Sequence, residues 1–126
     1  MSGNVIMLNS TNVNPANGSL VGDLSKGTVY VLFYADWCGH CTRLKPQYQR
    51  KSKQSATNFG NNRFPYLLTA VDCTNRTTPN PVANLLSRNK YNQNYFPYIA
   101  RYCNGVYHST FDSTKDTLDS FIVPRC

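Results

Sequence analysis

The chain contains no glutamate, no long apolar run, and no second pair of closely spaced cysteines or histidines. Each absence removes a class of protein. A membrane-spanning helix needs about 18 or more consecutive apolar residues, and none occur together here. Val5-Ile6-Met7-Leu8, the apolar stretch nearest the start, is too short for an export leader and lacks a basic flank. It reads as a first strand, so the chain is expected in the cytoplasm or in a virion rather than in a secretory lumen. Without another C-x-x-C or an H-x-x-H, the residues Cys73, Cys103, Cys126, His40 and His108 offer no spacing for the second half of a zinc site. No metal is expected. The missing glutamate leaves six acidic residues, all aspartate, against 13 Lys and Arg, a formal charge of +7. That balance fits a plain basic surface, and it also suits an acidic protein partner or nucleic acid.

The length, 126 residues, suits one domain over 1–126. Asparagine is abundant, with fifteen copies, as an AT-rich coding genome would produce. Three N-x-S/T sequons begin at Asn9, Asn17 and Asn75. So much asparagine generates sequons by chance, and without a leader they would not meet the glycosylation machinery.

What is present centres on Trp37-Cys38-Gly39-His40-Cys41. This run lies between an apolar β-branched stretch, 29–34, and a helix-like stretch opening near Cys38. Two cysteines separated by two residues, at a helix start after a strand, read as a redox pair. Unpaired backbone N–H groups and the partial positive charge of a helix N-terminus favour a thiolate there. Such settings lower a thiol pKa from ~8.5 to roughly 3.5–7.5. Cys38 is the expected nucleophile and Cys41, one turn on, the resolving thiol.

The rest of the pattern alternates strand and helix. Strands are expected at 4–8, 28–34 and 65–72, and helices at 38–57 and 82–90. Residues 9–22 read as loop with one weak helical turn, and 58–64 as a turn. Pro46 falls inside the first helix and should bend it. Strands at 98–103 and 106–111 flank Asn104-Gly105, a strong hairpin signal. A last helix is expected over 113–123, capped by Ser113 with Asp116 in the capping-box position, and with Leu118, Phe121 and Ile122 facing the core. Strands alternating with helices imply a parallel core, to which the hairpin adds antiparallel strands. The class is α/β, a mixed sheet covered by helices on both faces.

This arrangement resembles the thioredoxin fold, and the segment from Phe33 to Tyr48 resembles the active site of the protein disulfide isomerase branch, with Leu44, Pro46 and Tyr48 in matching places. Val71-Asp72-Cys73-Thr74 is similar to the end of the family's third strand, and Tyr95-Phe96-Pro97 to its cis-proline loop. The resemblance runs from about Val5 to Ile122. It implies a thiol–disulfide oxidoreductase of isomerase-like character, acting on protein thiols and disulfides. Cys38 and Cys41 would do the chemistry, and a protonated His40 would stabilise the thiolate and make the pair more oxidising. Trp37, Phe96 and Pro97 would shape the substrate surface, with the Phe96 backbone pairing a substrate chain as an added strand. It implies no cofactor beyond the dithiol, and a redox partner or glutathione to recycle it.

The chain departs from the family in two linked places. The position six residues before the first active-site cysteine, usually a buried acid, is Leu32. The position where a buried lysine often lies is Ala70. Losing both partners together is physically coherent, because either charge alone would be costly. The loss predicts slow resolution of mixed disulfides. Cys73 is expected to pack as a small apolar residue, and Cys103 should end at the other end of the sheet, unpaired with Cys73. Cys126 is expected to be an exposed thiol on a loose tail, or the link in a covalent dimer. Arg43, Lys45, Arg50, Lys51 and Lys53 form a basic stretch around the active-site helix, either solvated or docking an acidic partner. His108 is expected on the surface of the last hairpin. A second functional class stays open: a thioredoxin-fold binding or structural module, packaged in a particle, with a basic surface and little turnover.

Overall fold

A computed structural model describes residues 4–56, 66–86, 96–124 and 126. The turn expected at 58–64, the far end of the second helix and Tyr95 lie outside them. The strand expected at 65–72 is described from residue 66.

Five strands form one mixed sheet: β1 (Ile6–Met7), β2 (Thr28–Tyr34), β3 (Leu67–Asp72), β4 (Tyr98–Cys103) and β5 (Val106–Thr110). Their order across the sheet is β1-β3-β2-β4-β5. β1 and β2 run parallel to β3, whereas β4 is antiparallel to both β2 and β5. β2 is central, and all seven of its residues are buried. That explains its near-continuous apolar sequence, since a strand covered on both faces has no solvent side to alternate with. Its odd residues Val29, Val31 and Phe33 pack on one face with Val82, Ala83 and Leu86 of α2 (Pro81–Leu86). Its even residues Tyr30, Leu32 and Tyr34 pack on the other, with Cys38, Cys41 and Tyr48 from α1 (Gly39–Ala56) and its approach, and with Leu118 and Phe121 of α3 (Leu118–Phe121). Helices therefore cover both faces.

α1 continues through Pro46. Its anchor is Tyr48, fully buried, whose hydroxyl donates to the carbonyl of Thr69 on β3 at 2.7 Å. The hairpin turns at Asn104 (φ +51°) and Gly105 (φ +85°). A side chain at Gly105 would meet the Leu20 carbonyl at 2.7 Å, so both the left-handed backbone and the close approach call for glycine.

Two expectations are corrected. The last helix is shorter than 113–123: Asp112 organises a turn over 112–116, and the cap of α3 is Thr117 with Ser120, not Ser113 with Asp116. A local Asp-to-backbone bond outcompetes helix nucleation there. Cys126 is neither a free thiol nor a link to another chain. It forms a disulfide with Cys103, 23 residues earlier, closing the C-terminal segment onto the end of β4. The asparagines also have structural work. Asn9, Asn14, Asn17, Asn75 and Asn80 each accept, through Oδ1, the backbone N–H two residues on, so the three sequon asparagines all organise turns.

One buried cluster carries no signal in the pattern. Arg101 on β4 is 5 % exposed, and among the described residues it is in neither of the two ion pairs. Its guanidinium donates to the Tyr30 hydroxyl (3.1 Å), Ser109 Oγ (3.0 Å) and the Phe121 carbonyl (2.6 Å), and lies 4.4 Å from the Phe121 ring centre. The Tyr30 hydroxyl also accepts from Val123 N–H at 2.9 Å, and its proton reaches the carbonyls of Phe121 and Val123. The C-terminal segment is thus tied to the sheet by polar groups as well as by the disulfide.

Candidate active site

β2 ends at Tyr34, and α1 begins five residues later, at Gly39. Parallel strands deliver the C-terminal ends of β2 and β3 to the same edge, with Tyr34 beside Asp72. The antiparallel β4 starts at that edge, with Tyr98 beside Phe33. Topology alone therefore gathers Trp37, Cys38, the loop after Asp72 and the Phe96-Pro97 segment. The Phe96-Pro97 peptide bond is cis.

Cys38 immediately precedes α1, and both Cys38 and Cys41 are free thiols. The backbone N–H of Cys41 donates to Cys38 Sγ at 3.2 Å, the contact a helix N-terminus offers an anionic sulfur. The pair is unequal. Cys38 keeps 9 % of its surface exposed, whereas Cys41 keeps 1 %. Burial, with a second contribution from the hydrogen bond to Cys38, pushes the Cys41 thiol up to about 12. Beneath it, Leu32 and Ala70 are adjacent in register on β2 and β3, both fully buried in the same apolar cluster as Cys41. The two departures noted in the sequence therefore lie side by side in register.

His40 is exposed, and its Nδ1 lies 2.7 Å from Arg43 Nη2. An arginine can only donate, so in this arrangement Nδ1 accepts and the fixed cation nearest the imidazole is Arg43. Lys45 pairs with Asp36 at 2.6 Å and lies 4.4 Å from the Tyr34 ring centre. Lys51 pairs with Asp119, also at 2.6 Å. The stretch that is acid-free in sequence thus acquires carboxylates in space, from the loop before α1 and from α3.

Trp37 is 48 % exposed, and its orientation is fixed on three sides. Its indole N–H donates to the Thr74 carbonyl at 2.9 Å. Phe96 meets it edge-on, with ring centres 5.7 Å apart. The Arg76 guanidinium lies over its ring, 3.8 Å from the centre. Cys73 is half-buried against the α2 side of the sheet and His108 is exposed on β5, so neither joins the Cys38 constellation. Sequence reasoning brought Trp37, Cys38, His40, Cys41, Phe96 and Pro97 together but missed Arg76, Lys45 and Arg43 as neighbours of the site. Only the basic character of α1 hinted at the last two, and nothing hinted at the first.

Comparison with known proteins gives a consistent picture. A family model described as Thioredoxin matches residues 18–123. Protein disulfide-isomerase A3 of Gallus gallus is 34% identical over 96 residues, 76% of this chain and 16% of that protein. Protein disulfide-isomerase 1 of Dictyostelium discoideum is 49% identical over 47 residues, 37% of this chain and 11% of that protein. The chain thus aligns with about a sixth or less of the curated relatives' length. The first thioredoxin domain of mouse Protein disulfide-isomerase A4 superposes with a TM-score of 0.59 at 26% identity, covering 94% of this chain and 71% of that one.

Proposed function

The chain belongs to the thioredoxin family, and from that premise we propose that it is a thiol–disulfide oxidoreductase acting on protein substrates through Cys38 and Cys41. The observation that carries the reading is the asymmetry of the pair: Cys38, 9 % exposed and receiving a helix N–H on its sulfur, one turn from Cys41, 1 % exposed.

In the reducing direction, the Cys38 thiolate attacks a substrate disulfide. The substrate S–S bond breaks, one substrate thiolate leaves and a mixed disulfide forms on Cys38. Cys41 loses its proton to solvent and attacks Cys38 Sγ. The mixed disulfide breaks, the second substrate thiolate leaves, and two electrons have passed from the chain to the substrate. The oxidising direction runs the same bonds backwards; in isomerisation a different substrate thiolate attacks the mixed disulfide, a new substrate S–S bond forms and the Cys38 thiolate leaves. Trp37 and the Phe96-Pro97 segment frame the approach to Cys38, and an extended substrate segment can pair with the Phe96 backbone. His40, lying between the two cysteines and held by Arg43, bears on the redox balance of the pair, with Arg43 as the fixed cation of that turn. A glutathione pool or a redox protein would recycle the pair.

The apolar floor beneath Cys41 favours a second reading, a binding module that captures thiols and turns over little. One experiment separates them. The protein is equilibrated in graded glutathione buffers, its thiols are trapped and counted by mass, and insulin reduction is followed in parallel. A reversible two-electron couple with insulin reduction that vanishes in Cys38→Ser is the expected result. A reversible couple without turnover favours capture, and no reversible couple refutes both.

A further inference from the structure

The active-site rim carries an arginine that the oxidoreductase chemistry does not use. Arg76 covers one face of Trp37, and its loop is built to hold it there. Thr74 accepts the indole N–H on its carbonyl and the Asp36 N–H on its Oγ1 (2.9 Å). Its own N–H donates to Asp72 Oδ1 at 2.9 Å. Asn75 Oδ1 accepts from the N–H groups of Thr77 and Thr78, both at 3.0 Å, fixing the backbone on either side of Arg76. The guanidinium therefore lies over the indole, 3.8 Å from the ring centre, before any ligand arrives.

No carboxylate answers it. Among the described residues the two ion pairs are Lys45–Asp36 and Lys51–Asp119. Asp36 is thus already matched, and Asp72 is engaged with Thr74 N–H. A further cation, Arg43, lies on the first turns of α1, hydrogen-bonded to His40. Trp37 meets Arg76 and Phe96 at once, so a substrate segment lying along Phe96 passes within one indole's breadth of the guanidinium.

We propose that Arg76, stacked on Trp37, selects substrate segments bearing carboxylates next to the reacting cysteine. The physical basis is the planar guanidinium fork, which matches a carboxylate in a way an ammonium does not. The proposal deepens the oxidoreductase reading and rests on it for the presence of a disulfide in the substrate. Trp37 keeps 48 % of its surface exposed for contact with the peptide, so the selection adds to, and does not replace, sequence-tolerant binding.

Trp37 is the only tryptophan in the chain, so its fluorescence reports on this rim alone. Three disulfide-bonded peptides, identical except for Asp, Ser or Lys flanking the cysteine, are reacted with the reduced protein in single turnover. Thiol-free versions are titrated against Cys38→Ser. We expect the Asp peptide to be favoured over the Ser peptide by about fivefold at low salt, the upper range for an exposed ion pair. The preference should shrink at high salt, disappear in Arg76→Gln and reverse in Arg76→Glu. Lys26→Glu, an equal charge change at the far end of the sheet, should keep it. Equal rates for all three peptides, or a preference lost as much in Lys26→Glu as in Arg76→Glu, overturn the proposal. Should no peptide react while the thiol-free Asp peptide still binds in an Arg76-dependent way, the oxidoreductase reading fails and the selection stands. Uniform loss of binding to all three peptides in Arg76→Gln would make Arg76 a support for Trp37 only, and would overturn it too.

Discussion

Removing the Cys103–Cys126 bond should cost this fold a large part of its stability. The bond closes a loop with a sequence separation of 23 residues that contains β5 and α3. Restraining such a loop in the unfolded chain is worth about 3.4 kcal/mol in the chain-entropy treatment. Domains of ordinary stability hold about 5–15 kcal/mol in total, so the loss is substantial. With an unfolding entropy of about 2.1 cal/mol/K per residue, it corresponds to a fall in Tm of about 13 °C. The assay is thermal unfolding by circular dichroism, comparing Cys38→Ser/Cys41→Ser with the same protein also carrying Cys103→Ser/Cys126→Ser. The background substitutions prevent thiol exchange during heating. Reductant should lower the Tm of the first protein to that of the second and leave the second unmoved. Hydrogen exchange should quicken most in α3, which the bond helps to hold, and least in β2. A fall below about 3 °C, or peptide mapping that finds Cys103 and Cys126 as free thiols, would refute the argument.

Three further outcomes follow from the site and the core. The Cys41 thiol is raised from 9.0 to about 12 in the folded chain, so the unfolded chain releases this proton first as pH rises. Its contribution to stability is whole below about pH 9 and is lost towards pH 12, so the reduced protein should lose Tm across that interval faster than Cys41→Ser does; parallel curves would contradict it. Leu32→Glu should speed resolution of a glutathione mixed disulfide while costing about 3–5 kcal/mol as an unpaired buried charge, with partial recovery in Leu32→Glu/Ala70→Lys; quenched-flow trapping that finds resolution unchanged or slower would sink the idea. Tyr30→Phe strips Arg101 Nε and the Val123 N–H of an acceptor, and should destabilise by about 2–3 kcal/mol in urea unfolding; a change under ~0.5 kcal/mol would show that water or another group takes over.

What could be read from the sequence, and what could not, divides along a physical line. β2, the Cys38 helix start and the Asn104-Gly105 turn are written in consecutive residues, through hydrophobic run length, cysteine spacing and left-handed turn preference. The joint replacement at Leu32 and Ala70 was visible too, although only the strand register shows that the two residues touch. The partners that were missed are brought together by the fold across long stretches of chain. Arg101 meets Tyr30 across 71 residues, and Arg76 meets Trp37 across a strand and a helix. The C-terminal helix was overextended for a different reason. Asp112 and Asp116 read equally well as capping residues or as a turn, and local hydrogen bonding settles that choice in favour of the turn.

The position of the second sulfur pair has a kinetic consequence. Cys103 lies beside Thr28, where β2 begins, whereas Cys38 follows the end of the same strand. Seven extended residues separate those ends by roughly 20 Å, far beyond the reach of one sulfur to another. The central strand thus acts as a spacer between two sulfur chemistries. A thiolate at Cys38 cannot attack the Cys103–Cys126 bond of its own molecule, so shuffling between the pairs must be bimolecular and must slow on dilution. Cycling of the Cys38–Cys41 pair, as proposed, would leave intact the bond that holds the C-terminal end.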